Sequence, residues 1–137
     1  MNYVDPERVQ FEQFKALPRD TPIHMLNLIK LNQSATYPNG QATTGAQAYA
    51  AYGRESGPIF QRVGGTVVWR GNPRLVLTGP AEESWDIAFV ACYPSAGAFL
   101  EMVTDPDYQL AVKHRQAAVE TSRLIRNEPM PAGDLFA

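Results

Sequence analysis

Cys92 is the only cysteine in the 137 residues. A single thiol excludes an internal disulfide framework and a multi-cysteine metal site. The histidines, His24 and His114, are also too few and too far apart. No second histidine stands at the i+3 or i+4 position that a helical zinc or iron site needs. No apolar run approaches the roughly 20 residues that span a bilayer. Positive charge is not in surplus either. Twelve Lys and Arg stand against 14 Asp and Glu, a net charge of -2 at pH 7. That balance cannot neutralise a phosphate backbone, which argues against a nucleic-acid partner. Also missing are a glycine-rich phosphate loop, a nucleophile elbow and a dinucleotide fingerprint, so no ATP, NAD or flavin site is expected. The N-terminus is polar and acidic where a secretory signal would be basic and then apolar. A cytoplasmic location is the expectation.

What is present suits a folded chain. Hydrophobic residues make up 45% and charged residues 19%, enough for a core. The length fits one domain over 1–137, with a helical extension at 1–20, a core at 23–127 and a tail at 130–137. Asp5 and Pro6 predict the start of a short helix over 5–16, stopped by Pro18. Ile23 to Leu31 is almost continuously apolar, which predicts a strand buried on both faces. Residues 32–44 are rich in Asn, Gln, Thr, Gly and Pro and read as a long loop. A helix follows over about 46–63, kinked at Gly57-Pro58 and ended by Gly64-Gly65. Strands are expected at 66–70, 75–78 and 85–93. Ser95 caps a helix to about Val103, and Asp105-Pro106 opens another to about Thr121. Leu124 and Ile125 belong to a last strand.

The order predicts an α+β fold, a ferredoxin-like βαββαβ antiparallel sheet with its helices on one face. The other face would expose residues such as Trp69, Phe89 or Val90 as a contiguous apolar patch. A second copy placed face to face is the economical cover, so a homodimer is expected.

Several stretches carry a family resemblance. They are Met25-Leu26-Asn27-Leu28, Tyr49 to Gly53, Gly64-Gly65 through Gly71, Trp85-Asp86, Tyr93-Pro94-Ser95 and Phe99. Asp105-Pro106-Asp107-Tyr108-Gln109 and His114-Arg115 through Ser122 complete the set. Over about 23–127 the chain resembles the domain of unknown function 1330 family. The resemblance implies a dimeric α+β barrel, two ferredoxin-like subunits closing their sheets on each other. That architecture also serves antibiotic-synthesis monooxygenases, muconolactone isomerases and haem enzymes such as chlorite dismutases. The resemblance brings no activity with it, and fold analogy does not supply one.

The residues that could carry chemistry are few. His114 lies at the edge of the apolar face of the helix after Asp105 and is a candidate catalytic base. Its plain alternative is an edge histidine bonded to backbone. Haem ligation by a lone histidine has no recognisable spacing behind it. Arg115 falls in the middle of the same face, where its charge must be paired. It is either an anion clamp, a second catalytic candidate, or half of a fixed ion pair with Asp86 or another carboxylate, or a packed aliphatic stem with its head at the rim. Asn27, Tyr52, Arg70, Asp86 and Tyr108 are the candidate ligand-binding residues. Arg70 and Asp86 could instead pair across the sheet, and Tyr49, Tyr52 and Tyr108 could be core aromatics. No metal and no cofactor is expected.

Two functions follow. One is a protein for a small organic ligand, an aromatic or carboxylate compound, worked on by proton transfer or oxygenation without a cofactor. There His114 is the base, Arg115 or Arg70 the anion stabiliser, and Asn27 a positioning group. The other is a non-catalytic homodimeric binding module.

Overall fold

Strand β1 (Ile23–Leu31) is paired on both edges, and its sequence shows why it can be. Its apolar side chains alternate toward two faces that are both largely screened from water. In the computed structural model, which describes residues 2–136, β1 runs antiparallel to β5 (Ile87–Tyr93) and to β6 (Val119–Asn127). Strand β4 (Thr66–Gly71) adds to β5, giving the sheet order β4-β5-β1-β6. This is the ferredoxin-like arrangement. Met1 of the N-terminal extension and Ala137 of the tail lie outside the described residues.

One face of the sheet meets three helices, α2 (Gly45–Arg62), α3 (Ala96–Thr104) and α4 (Pro106–Ala118). Ile23, Met25, Ala91 and Tyr93 pack there against Ile59, Val63, Phe99 and Met102. A second cluster, centred on Ile29, joins Ala48 of α2 to Ala117 and Ala118 of α4. Asn27 shares the helix-side face, since it alternates with Met25 and Ile29 and stands opposite Phe89. His24 takes the outer face, opposite Cys92 and Asn127.

The helix starts follow their capping residues. Thr44 and Gln47 form a reciprocal box at α2. Ser95 accepts from the amide of Ala98, and Asp105 from those of Asp107 and Tyr108. Helix α2 passes through Pro58 as one element and ends before Gly64, whose φ of 90° favours glycine. Helix α1 (Arg8–Ala16) starts later than Asp5, with Glu7 at the N-cap position but making no side-chain capping bond.

Four expectations change. The 32–44 stretch contains a small hairpin, β2 (Ser34–Thr36) with β3 (Ala42–Thr44). Residues 75–78 are not a strand. Pro73 and Pro80 flank them without amide donors, and Leu75 and Leu77 stand in solvent. Strand β5 begins at Ile87, not Trp85. Helix α4 stops at Ala118, three residues early, because β6 is long and pairs with nearly all of β1.

The outer face has no helix on it. Trp69, Val90, Leu26 and Ile125 form one row across all four strands. Trp69 is 52% exposed and Val68, beside it, 53%.

The Asp105 cap has a testable charge dependence. The hydrogen bond from the Asp107 amide, the largest effect, outweighs the opposing effect of burial and, with the bonds from Arg62 and the Tyr108 amide and the Arg62 charge, holds its carboxyl below the ordinary range. The folded form therefore gains from the ionised cap above the unfolded carboxyl range and loses that gain as pH falls through the lowered one. Asp105→Ala is expected to lower Tm at neutral pH. The gap between variant and parent should shrink in strong acid, as read by circular dichroism melts.

Candidate functional site

His114 is held from both sides. Its Nε2 lies 2.6 Å from Oε2 of Glu55 on α2. Its Nδ1 lies 2.7 Å from the hydroxyl of Tyr37, in the turn between β2 and β3. The Tyr37 and His114 rings meet edge to face at 5.4 Å. Three separate elements thus converge on one imidazole, with α2 and α4 packed side by side to bring the histidine and carboxylate together. The His114 side chain is 25% exposed, so the site opens to solvent.

The hairpin sets Tyr37. Its amide donates to the carbonyl of Gln41 at 2.8 Å, and the Gly40 amide donates back to the Tyr37 carbonyl at 2.9 Å. Gly40 has a φ of 87°, which suits this tight return. Beside it runs a groove of about 270 Å³ lined by Thr36, Tyr37, Pro38, Lys113, Gln116 and Ala117.

The sequence singled out neither Glu55 nor Tyr37. Glu55 lies one turn from Tyr52 on α2, a spacing shared with many exposed carboxylates. Tyr37 is an aromatic in an otherwise polar stretch, the one available signal.

The other candidates do not gather around His114. Arg115 points to the N-terminal segment, donating to the carbonyl of Val4 and, at 3.2 Å, to Oγ of Ser122. Ser122 in turn donates to the carbonyl of Tyr3 at 2.8 Å. The expected carboxylate partner is thus replaced by uncharged oxygens, which are enough to satisfy a half-buried guanidinium. Asp86 accepts from the amide of Leu31 at 2.7 Å and does not pair with Arg70. Arg70 stands opposite Phe89, three residues from Asp86 along β5's register, which puts the pair out of reach. Among the described residues the Arg70 side chain has no hydrogen bond or ion pair. Asn27 donates to the carbonyl of Met25 in its own strand at 3.0 Å.

Tyr52 and Tyr108 share a hydroxyl contact of 2.9 Å between α2 and α4. The Tyr49 and Tyr52 rings meet at a tilt, 5.5 Å between centroids. Burial pushes the Tyr108 phenol up, as do Tyr52 nearby and its hydrogen bond, with Arg115 opposing. Burial and then Tyr52 also raise Tyr49 and Tyr93, and Arg115 partly offsets this at Tyr49. Tyr49, Tyr93 and Tyr108 are therefore neutral packing phenols at any physiological pH. Among the described residues no group of three His, Cys, Asp or Glu could hold a metal ion. No helix among them is long and apolar enough to cross a membrane.

The Arg115 link can be tested directly. Arg115→Leu should release residues 2–5, raising amide exchange at Tyr3, whose N–H is held by Oγ1 of Thr121, by roughly tenfold. Unchanged exchange would mean that the Val4 and Ser122 bonds do not hold this segment.

Comparison with known proteins agrees with the geometry of the fold. No curated protein matches the chain. A protein of unknown function from Rhodopseudomonas palustris, solved as a crystal structure, is 57% identical. It matches with a TM-score of 0.92 over 96% of this chain and 100% of its own. Its methylated form is also 57% identical, with a TM-score of 0.94 over 97% of this chain and 98% of its own. A cofactor-independent oxygenase from Streptomyces nogalater shares the fold at 13% identity. Its TM-score is 0.54, over 84% of this chain and 99% of its own. Residues 41–127 match the profile of a family described as a domain of unknown function, DUF1330. With that match and the Rhodopseudomonas relative, this chain belongs to the DUF1330 family.

Proposed function

We propose that this protein binds a small organic molecule and moves a proton on it without a cofactor, with His114 as the base. The observation that supports this most is the 2.6 Å contact between Glu55 and Nε2 of His114. A carboxylate at Nε2 keeps the proton of the neutral ring on that nitrogen and leaves Nδ1 as the acceptor. It also stabilises the imidazolium that forms when Nδ1 takes up a proton. Base and orienting acid stand in the relation that acid–base catalysis uses. Oxygenation of an ionised phenol or enol would begin with the same proton removal, and the shared fold with a cofactor-independent oxygenase is compatible with it. Arg115 and Asn27 are bonded elsewhere and Arg70 stands on β4 away from the histidine, so this reading rests on His114 and Glu55.

The test needs no known substrate. A panel of carbon acids is incubated with the protein in heavy water, and loss of C–H signal is followed by NMR. The wild type should speed exchange of at least one acid, and His114→Gln should slow it on the order of a hundredfold. Equal rates in the two proteins would remove His114 from the reaction.

A second reading is favoured by the outer sheet face. The Trp69-Val90-Leu26-Ile125 row, with Val68 beside it, is the kind of apolar surface that a second copy would cover. On this reading the protein is a homodimer closed through its sheets, with or without catalysis. Light scattering after gel filtration should give twice the chain mass. Trp69→Glu, which places a charge in the centre of that face, should give the single mass. A wild-type monomer would leave the face without this partner.

A further inference from the structure

Both ring nitrogens of His114 are already engaged, Nε2 by Glu55 and Nδ1 by Tyr37. No lone pair of the imidazole is left for a substrate. Reaching Nδ1 directly would require displacing the tyrosine. We infer that Tyr37 is the catalytic group that meets the substrate, and that the substrate is a weak organic acid whose anion lies beside Lys113. This inference rests on the reading of His114 as the base and adds to it the contacting atom and the class of ligand.

With the ring proton held at Nε2 by Glu55, Nδ1 can only accept, so Tyr37 must donate its O–H there. The phenolic oxygen then has its lone pairs free, and a lone pair is what an acidic substrate proton seeks. Tyr37 is not loosely hung. Its backbone is tied to Gln41 and Gly40, and its ring rests against the imidazole. That rigidity favours proton transfer, which needs donor and acceptor held within hydrogen-bond reach.

Tyr37 lines the groove beside α4, together with Lys113 and Gln116. Gln116 is turned to the carboxylate of Asp5, at 3.2 Å. Lys113 has no acidic partner among the described residues. A single unpaired cation next to a proton-accepting oxygen suits a molecule that becomes an anion on reaction. The groove's volume of about 270 Å³ lies just below the usual range for drug-sized ligand sites, which suits a one-ring compound. A phenol, an enol or a 1,3-dicarbonyl meets these conditions.

The step balances without another reactant. The substrate X–H bond breaks and a new O–H bond forms at Tyr37. The original O–H bond of Tyr37 breaks and an N–H bond forms at Nδ1 of His114. The electron pair of the X–H bond stays on the substrate, whose negative charge faces Lys113. The imidazolium charge faces Glu55. Return of the proton, at the same or another atom of the substrate, restores the site.

The probe is para-nitrophenol, a one-ring acid whose ionised form absorbs in the visible. It is added at a pH where the free probe is mainly protonated. Wild-type protein should produce bound phenolate colour. Tyr37→Phe and His114→Gln should both abolish it. Lys113→Met should weaken binding about fivefold, the worth of one exposed charge pair. If His114→Gln loses the colour but Tyr37→Phe keeps it, His114 stands as the base and the inference about Tyr37 is overturned. If the wild type gives no colour, the ligand class is overturned, while the carbon-acid exchange test still decides on His114. Nitrogen NMR of the wild type needs no variant at all. Nδ1 of His114 should gain a proton as the probe loses one, and an unchanged Nδ1 beside an ionised probe overturns the relay.

Discussion

A strand hydrogen-bonded along both edges cannot shift without breaking two ladders at once. Strand β1 is in that position, and the placement of the other elements follows from it. Its pairing with β5 and β6 brings the two halves of the chain together. It also decides which side chains face the helices. A slip of one residue would turn Ile23, Met25 and Ile29 outward and bring His24 and Lys30 into the core. The two apolar clusters on the helix side oppose that slip, because each includes residues of β1 at opposite ends.

The helices take their places against this fixed register. Helix α2 lies beside α4, and the tyrosines between them form a neutral, tightly packed seam. At the solvent edge of the seam the same pairing aligns Glu55 with His114. The candidate site is therefore a by-product of helix packing on one side and of a hairpin on the other. Neither helix alone carries it. A polar contact of 2.6 Å between two helices needs their relative height to be set within a fraction of a turn.

The strong local signals in the sequence led to correct elements. The apolar run of β1, the Ser95 and Asp105 caps and the glycines after α2 each act within a few residues, so periodicity and capping express them. The length of β6 was not legible. Its residues Glu120 to Arg123 are polar and are drawn into a strand by the free edge of β1. The Leu75–Thr78 stretch had the reverse problem, an apolar pattern set between Pro73 and Pro80 that joins no strand. At the site, His114 was visible as a histidine on a mixed helix face. Glu55 and Tyr37 were not, since their relation to it exists only across elements far apart in the chain. For Arg115 a carboxylate partner was one of the alternatives, and the guanidinium meets backbone and serine oxygens instead. A backbone acceptor leaves no mark in a sequence, because every residue has one.

The bonds around Tyr3 lie alongside β6, which is an edge of the sheet. An uncovered edge strand is a template on which another molecule's strand can grow. Here residues 3 and 4 lie beside part of that edge, held by the side chains of Thr121, Ser122 and Arg115. The far edge, β4, is bent by a bulge between Val67 and Trp69 and carries the charge of Arg70. Sideways strand addition is thus hindered over part of one border by the N-terminal segment and at the other by shape and charge. The sheet surface left bare is the broad face around Val68 and Trp69.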